Sequence, residues 1–231
     1  MEVIWLTQGG FLFDSAETRL VVDPYMSDNL ASHDLPRLVP FPLPLSELRP
    51  NWCLCTHDHL DHLDPESITA IAQAYPACHF AGPESCYKHF IELGIEAERC
   101  HTLIAGEAFE CGNISVMPTM AIHSDPFALG MVIDHDGKAL YLSGDSEYSP
   151  ELVNAMTKQC ASVLICINGK WGNMTLDEAL QVIKGIKPEI ALPMHYGLFA
   201  RNTADPQPFI EQCKQWGVQA FAMQPGKPFA L

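Results

Sequence analysis

The sequence predicts an α/β fold in which two mixed β-sheets pack face to face and helices cover their outer faces. Three observations carry this. Short β-like runs open the chain, strand–helix pairs follow from about residue 52, and a second strand-rich region begins near residue 107 before alternation resumes. Strand-first halves with interleaved helices are satisfied by two layered sheets sharing one core. With 231 residues, 48% of them apolar, the chain has enough material for one sizeable domain spanning 1–231.

The opening strands are expected at Glu2–Leu6, Gly10–Phe13 and Thr18–Val22, the last ended by Asp23-Pro24. Residues 24–50 carry prolines at 24, 36, 40, 42, 44 and 50 and read as irregular. A loop of that length inside a compact domain is usually functional or disordered. Leu35, Leu38, Val39, Phe41 and Leu43 argue against disorder, so the segment reads as a packed flap beside a site. Trp52–Cys55 is a buried strand, and a helix follows with Asp64 as N-cap and Pro65 in its first position. Cys78–Ala81 and Pro83–Leu93 form the next strand–helix pair, ended by Gly94. Later, Asp136-Gly137 between Gly130–His135 and Lys138–Leu142 predicts a type I′ hairpin. Helices are expected near 150–158, 175–185 and 206–216, and strands at 162–167, 189–193 and 218–222.

Composition narrows the function classes. A net charge of −15 is the wrong sign for a nucleic-acid surface, which removes nucleic acid as a structural partner. No apolar run is long enough to cross a membrane. Met1–Leu6 has neither a basic nor an apolar leader region, so no secretory signal is expected. Nine scattered cysteines, mostly in apolar surroundings and without paired Cys-x-x-Cys units, fit buried free thiols in a reducing cytoplasm. The expected partner is a small molecule, and a homo-oligomer stays open.

The chemistry concentrates in Thr56-His57-Asp58-His59-Leu60-Asp61-His62, directly after a buried strand. His57 and His59, two apart on an extended segment, can reach one metal ion. Asp61 and His62, at the turn into a helix, can reach a second. Imidazole with carboxylate suits zinc, manganese or iron. One such motif cannot fill two coordination shells, so further ligands are expected just past later strands. His123 after Ile114–Ala121, Asp145 after Ala139–Leu142 and His195 after Ile190–Leu192 occupy such positions.

This order of residues resembles the metallo-β-lactamase superfamily. The resemblance implies an αβ/βα four-layer sandwich with a dinuclear site on one edge. It implies that His57, His59 and His123 hold one divalent ion and that Asp61, His62 and His195 hold the other. It also implies that Asp145 would bridge the two ions and that Asp23 would support the ligand loop; the ions expected are zinc or manganese. Within the superfamily the chain resembles the L-ascorbate-6-phosphate lactonase-like branch. That likeness rests on Trp5-Leu6 and Gly10-Phe11, Val22-Asp23-Pro24-Tyr25, the run Thr56 to Asp64, Ser143-Gly144-Asp145-Ser146, and Asn168-Gly169-Lys170-Trp171-Gly172-Asn173-Met174.

Such a site is expected to use a hydroxide shared between the ions to attack a lactone or ester, with Asp145, His195 and Asp61 as the catalytic set. Two divalent ions outweigh the charge of Asp61, Asp145 and a hydroxide together, which favours a small anionic metabolite. Lys170 is expected to pair with its anionic group, with Asn168 or Asn173 donating hydrogen bonds and His33 contacting substrate from the flap. The alternatives are a phosphodiesterase acting on cyclic nucleotides or phospholipid-like diesters, and a non-catalytic metal-binding protein. A bridging Asp argues against the last. The intact His57-x-His59 argues against a redox di-iron branch.

Overall fold

The computed structural model describes residues 1–230. In the first half the strands are β1 (Glu2–Trp5), β2 (Phe11–Asp14), β3 (Arg19–Val22), β4 (Trp52–Leu54), β5 (His79–Gly82) and β6 (Cys100–Thr102). The second half carries β7 (Phe109–Cys111), β8 (Ile114–Met120), β9 (Leu129–His135), β10 (Lys138–Leu142), β11 (Ser162–Cys166), β12 (Ile190–Met194), β13 (Gln219–Ala220) and β14 (Pro228–Ala230). The helices are α1 (Leu45–Leu48), α2 (Pro65–Ala74), α3 (Glu84–Glu92), α4 (Leu176–Ile186) and α5 (Gln207–Gln215). Two seven-stranded sheets result, ordered β14-β1-β2-β3-β4-β5-β6 and β13-β12-β11-β10-β9-β8-β7.

The first sheet shows why its strands read as near-continuous apolar runs: both faces are covered. Val3, Trp5, Phe11, Phe13, Leu20, Val22, Leu54 and Ala81 point to the core shared with the second sheet. Their neighbours Ile4, Leu12, Val21, Cys53, Cys55 and Phe80 point the other way, onto Ile68 and Ile71 of α2 and Phe90 of α3. This is the period-two alternation of a pleated strand, with apolar residues on each side. All nine cysteines are free and buried, as expected. No helix among the described residues is long and apolar enough to cross a membrane.

Local signals hold at several ends. Asp136 and Gly137 both have positive φ, 56° and 76°, and join β9 to β10 with His135 opposite Lys138, as a type I′ turn requires. Thr175 and Glu178 form a reciprocal capping box at α4. Gly94, at φ 80°, follows α3, with its N–H on the Ile91 carbonyl and that of Ile95 on the Phe90 carbonyl.

The helix expected near 150–158 does not form. Two short 3-10 turns, Pro150–Leu152 and Thr157–Gln159, stand there instead. The Asn154 side chain takes the N–H groups of Met156 and Thr157, at 2.9 and 3.2 Å, and so competes with the helical pattern. Strands β6 and β14 were not expected from the sequence.

Topology sets the site. Strands β3, β4 and β5 are mutually parallel, as are β10, β11 and β12. β1 and β8 run in the same sense as their parallel neighbours, because each is two antiparallel steps away. The loops after β1, β3, β4, β8, β10, β11 and β12 therefore gather on one edge of the sandwich.

The flap covers part of that edge. Arg37 pins it: the guanidinium donates to the carbonyls of Tyr25 and Ser27 and to Thr7 Oγ1, and lies over the Tyr25 ring. Asp64 ties it to α2. Its buried carboxylate accepts from Ser27 N and Asn29 Nδ2 in the flap, and from Glu66 N and Ser67 Oγ in the helix. Asp64→Ala should therefore cost more than a lost cap alone, about 2–3 kcal/mol, because several buried donors lose their acceptor. Urea unfolding should show the midpoint falling accordingly; a change within about 0.5 kcal/mol would mean that the flap is not held through this residue.

Candidate metal centre

The loop after β4 turns sharply because the neighbouring loop supplies its acceptors. Asp23, buried at φ 47°, accepts from Thr56 N and Thr56 Oγ1 and from His62 Nδ1, each at 2.7 Å. Thr56 Oγ1, with its proton given to Asp23, accepts from His57 Nδ1 at 3.0 Å. His123 Nδ1 donates to the Gly172 carbonyl at 2.9 Å. In its neutral form each of these three rings is thus held in the tautomer that leaves Nε2 with a free lone pair. His59 is reversed: Ser124 Oγ lies 3.1 Å from its Nε2, and its Nδ1 faces His123 Nε2 at 3.1 Å.

The ligand atoms fall into three overlapping groups, each within 4.8 Å: His57, His59 and His123; Asp61, His62 and His195; and, between them, His57, His62 and Asp145. His57 Nε2, His62 Nε2 and Asp145 Oδ1 are buried and have no hydrogen-bond partner. Buried polar atoms are normally paired. Converging lone pairs on imidazole and carboxylate are the donor set of a divalent ion, so these residues fit the metals expected.

The electrostatics agree. Burial, then the neighbouring His62, pushes His57 well below the usual imidazole range, and burial with His123 lowers His59. Burial also opposes charge on His195, but Asp145 and Asp61 outweigh it and raise its pKa to about 9. His62 is raised for the same reason by Asp145, Asp23 and Asp61. Asp145 itself is depressed: burial would raise it, but His195 and His62 prevail.

Sequence reasoning passed over Gln8. It sits in the β1–β2 turn, where Thr7 and Gln8 have φ of 80° and 51°. Its fully buried side chain donates from Nε2 to Asp61 Oδ2 at 2.8 Å and lies 3.1 Å from His195 Nε2. The Gln8 carbonyl accepts from Trp5 Nε1 and His195 N. Gly9 beside it has no room for a side chain: a Cβ would meet His62 Cε1 at 2.6 Å. A polar residue between two buried strands was the available signal.

The expected substrate contacts divide. Above the ligands lies an open cavity of about 390 Å³, walled by Leu30 and Leu35 from the flap, Trp171, Asn173, Phe199 and Asn202, with Asp58, His59, Asp61, His123, Ser124 and Asp145 at its floor and rim. Asn173 lines it, and its Nδ2 donates to Asp145 Oδ2 at 2.8 Å. Asn168 is one layer back, accepting from Asn173 and donating to Asn202 Oδ1. Lys170 is exposed and outside the cavity wall, because its ammonium donates to the Arg201 carbonyl at 2.9 Å. His33 is likewise exposed, at the end of a 3-10 turn beside Ser32, and does not line the cavity.

Two measurements follow. Gln8→Ala should weaken the Asp61–His62–His195 site selectively, by about 10- to 100-fold in metal affinity, and leave the other site near wild type; equal weakening of both in a calorimetric titration would remove this role. Loading the Asp61–His62–His195 site at pH 7 should also release more protons than loading the His57–His59–His123 site, because carboxylates raise His62 and His195 while burial lowers His57 and His59. Affinity at the former site should fall as pH drops below about 9, and calorimetry in buffers of different ionisation enthalpy would read the proton count. A count that is the same at both sites would contradict the assignment.

Comparison with known proteins gives the family of the chain. Residues 18–196 match the family described as "Beta-lactamase superfamily domain". A UPF0173 metal-dependent hydrolase of Thermoplasma acidophilum is 30% identical over 241 residues, covering 100% of this chain and 99% of the relative. Among solved structures, a metallo hydrolase of the archaeon Ignicoccus hospitalis superposes with a TM-score of 0.82 at 21% identity, covering 100% of this chain and 98% of the other. An isothiocyanate hydrolase from Delia radicum gut bacteria gives 0.80 at 17% identity, covering 100% and 99%. The chain belongs to the β-lactamase superfamily domain family, in its UPF0173 metal-dependent hydrolase group.

Proposed function

We propose that this chain is a binuclear hydrolase that cleaves an ester or lactone bond in a small molecule, with zinc or manganese as its ions. The observation that supports this best is the set of unpartnered, buried ligand atoms His57 Nε2, His62 Nε2 and Asp145 Oδ1 below an open cavity. A structural site is closed, whereas a catalytic one keeps an accessible face. In this reading His57, His59 and His123 hold one ion, Asp61, His62 and His195 the other, and Asp145 stands between them. A pair of divalent ions supplies an ionised water near neutral pH and polarises the acyl oxygen.

The chain's own residues do the rest. Asn173 pins Asp145 Oδ2, and Asn168 orients Asn173, so Asp145 Oδ1 is the free carboxylate atom facing the other ligands. In this reading that oxygen would be an ion ligand, and the Asp145 carboxylate would pass the proton of the attacking hydroxide to the leaving oxygen. Gln8 keeps Asp61 and His195 in register with it. Asn173 Oδ1, buried without a partner at the cavity wall, is available to accept from a substrate N–H or O–H.

The test is a parallel assay of metal-reconstituted protein on lactones, carboxylic esters and phosphodiesters, with Asp145→Asn alongside. Turnover should appear on the acyl substrates, vanish with chelator, and fall in the variant by more than the roughly 100-fold typical of a supporting residue. Turnover confined to phosphodiesters would replace this reading with the phosphodiesterase. Near-wild-type rates in Asp145→Asn would remove Asp145 from the reaction.

A further inference from the structure

We propose that the substrate carries an uncharged aromatic group, which lies in the mouth of the cavity between Trp171 on one side and Leu30, Leu35 and Phe199 on the other. This rests on the hydrolase reading above and adds the substrate's chemical class. The first observation is the wall itself. It contains no Lys or Arg, while Asp58, Asp61 and Asp145 all contribute to it. The two lysine and histidine candidates for an anion contact, Lys170 and His33, stand outside it. An anionic group away from the ions would therefore meet carboxylates with no cation to offset them.

The second observation is an apolar cluster separate from the two faces of the main core. Tyr25, Leu30, Leu198 and Phe199 pack together with Leu35 against them, joining the flap to the loop after β12. The Leu38 N–H on the Leu198 carbonyl, at 2.8 Å, holds the two loops in this arrangement. Three members of the cluster, Leu30, Leu35 and Phe199, also face the cavity.

The third is Trp171. Its side chain is 56% exposed, although it lines the cavity. Its backbone is left-handed at φ 51°, a conformation that costs a non-glycine residue energy and that surrounding structure must enforce. The enforcing contacts are on both sides. Lys170 is tethered to the Arg201 carbonyl, and Gly172 gives its carbonyl to the metal ligand His123. Gly172 has no room for a Cβ, which would lie 2.9 Å from His123 Nδ1. The backbone that carries the exposed indole is thus held to the ligand frame, and the cavity it lines is also lined by the apolar Leu30, Leu35 and Phe199. A flat aromatic group between them gains burial on one side and ring stacking on the other.

The experiment compares the metal-loaded protein with Trp171→Ala and Trp171→Phe on three methyl esters: methyl phenylacetate, methyl acetate and monomethyl succinate. The wild-type protein should prefer the phenylacetate ester in kcat/KM by about tenfold or more over either of the others. Trp171→Ala should cut that preference about tenfold, mainly through KM, and Trp171→Phe should restore most of it. A preference for the succinate ester, or a phenyl preference untouched by Trp171→Ala, would overturn this inference while leaving the hydrolase reading in place. Absence of turnover on all three and on lactones would overturn the hydrolase reading and this inference with it.

Discussion

The carboxylate of Asp23 holds the metal edge together. It is buried, and its two oxygens take the main-chain N–H and hydroxyl of Thr56 and the Nδ1 proton of His62. It thereby anchors both ends of a seven-residue loop that bears four of the candidate ligand side chains. A charge this deep is tolerated because every contact is a donor, and charge-assisted hydrogen bonds are about twice as strong as neutral ones. The ring of His62 is turned, the Thr56 hydroxyl is turned, and through that hydroxyl so is His57. Gly9 completes the arrangement by leaving space for the His62 ring.

The ligand frame has an electrostatic asymmetry that this anchor helps to create. On the His57 side, an all-imidazole group, burial suppresses the basicity of His57 and His59. On the His62 side, carboxylates raise the basicity of His62 and His195, and these imidazoles in turn lower Asp145, all in the protein interior. Buried pairs of this kind repay their desolvation poorly. Their arrangement makes better sense as a cation site than as a source of stability, because the same carboxylates serve either a proton or a metal.

The cluster of candidate ligands was legible in the sequence because its signal is local: three histidines and two aspartates within six residues, and single metal-capable residues just past apolar strands. Asp23 was legible through the family resemblance. Gln8 was not, because its meaning lies in partners 53 and 187 positions away, and a lone amide in a turn has no periodic signature. Lys170 and His33 show the opposite failure. Charge at a strand end suggested substrate contact for Lys170, and a place in the flap suggested it for His33, but a backbone carbonyl and a hydroxyl nearby already engage those side chains. The 150–158 segment was misread for a similar reason, since the Asn154 side chain satisfies backbone donors that a helix would have used. Short edge strands such as β14 carry too few residues for alternation to register.

β14 joins positions 228–230 to positions 2–4 of β1, antiparallel. In an emerging polypeptide β1 can pair with β2 at once, but its other edge stays bare until more than two hundred further residues have been made. During that interval the row of free N–H and C=O groups on an apolar strand is a template for a second chain. Glu2, the one exposed residue of β1, puts a charge at the start of that edge. Closure of such a distant contact also pays its loop entropy late, which slows folding relative to a sheet built from neighbours. The hazard of self-association is therefore greatest in the partly synthesised chain, before β14 seals the sheet that carries the Gln8 turn.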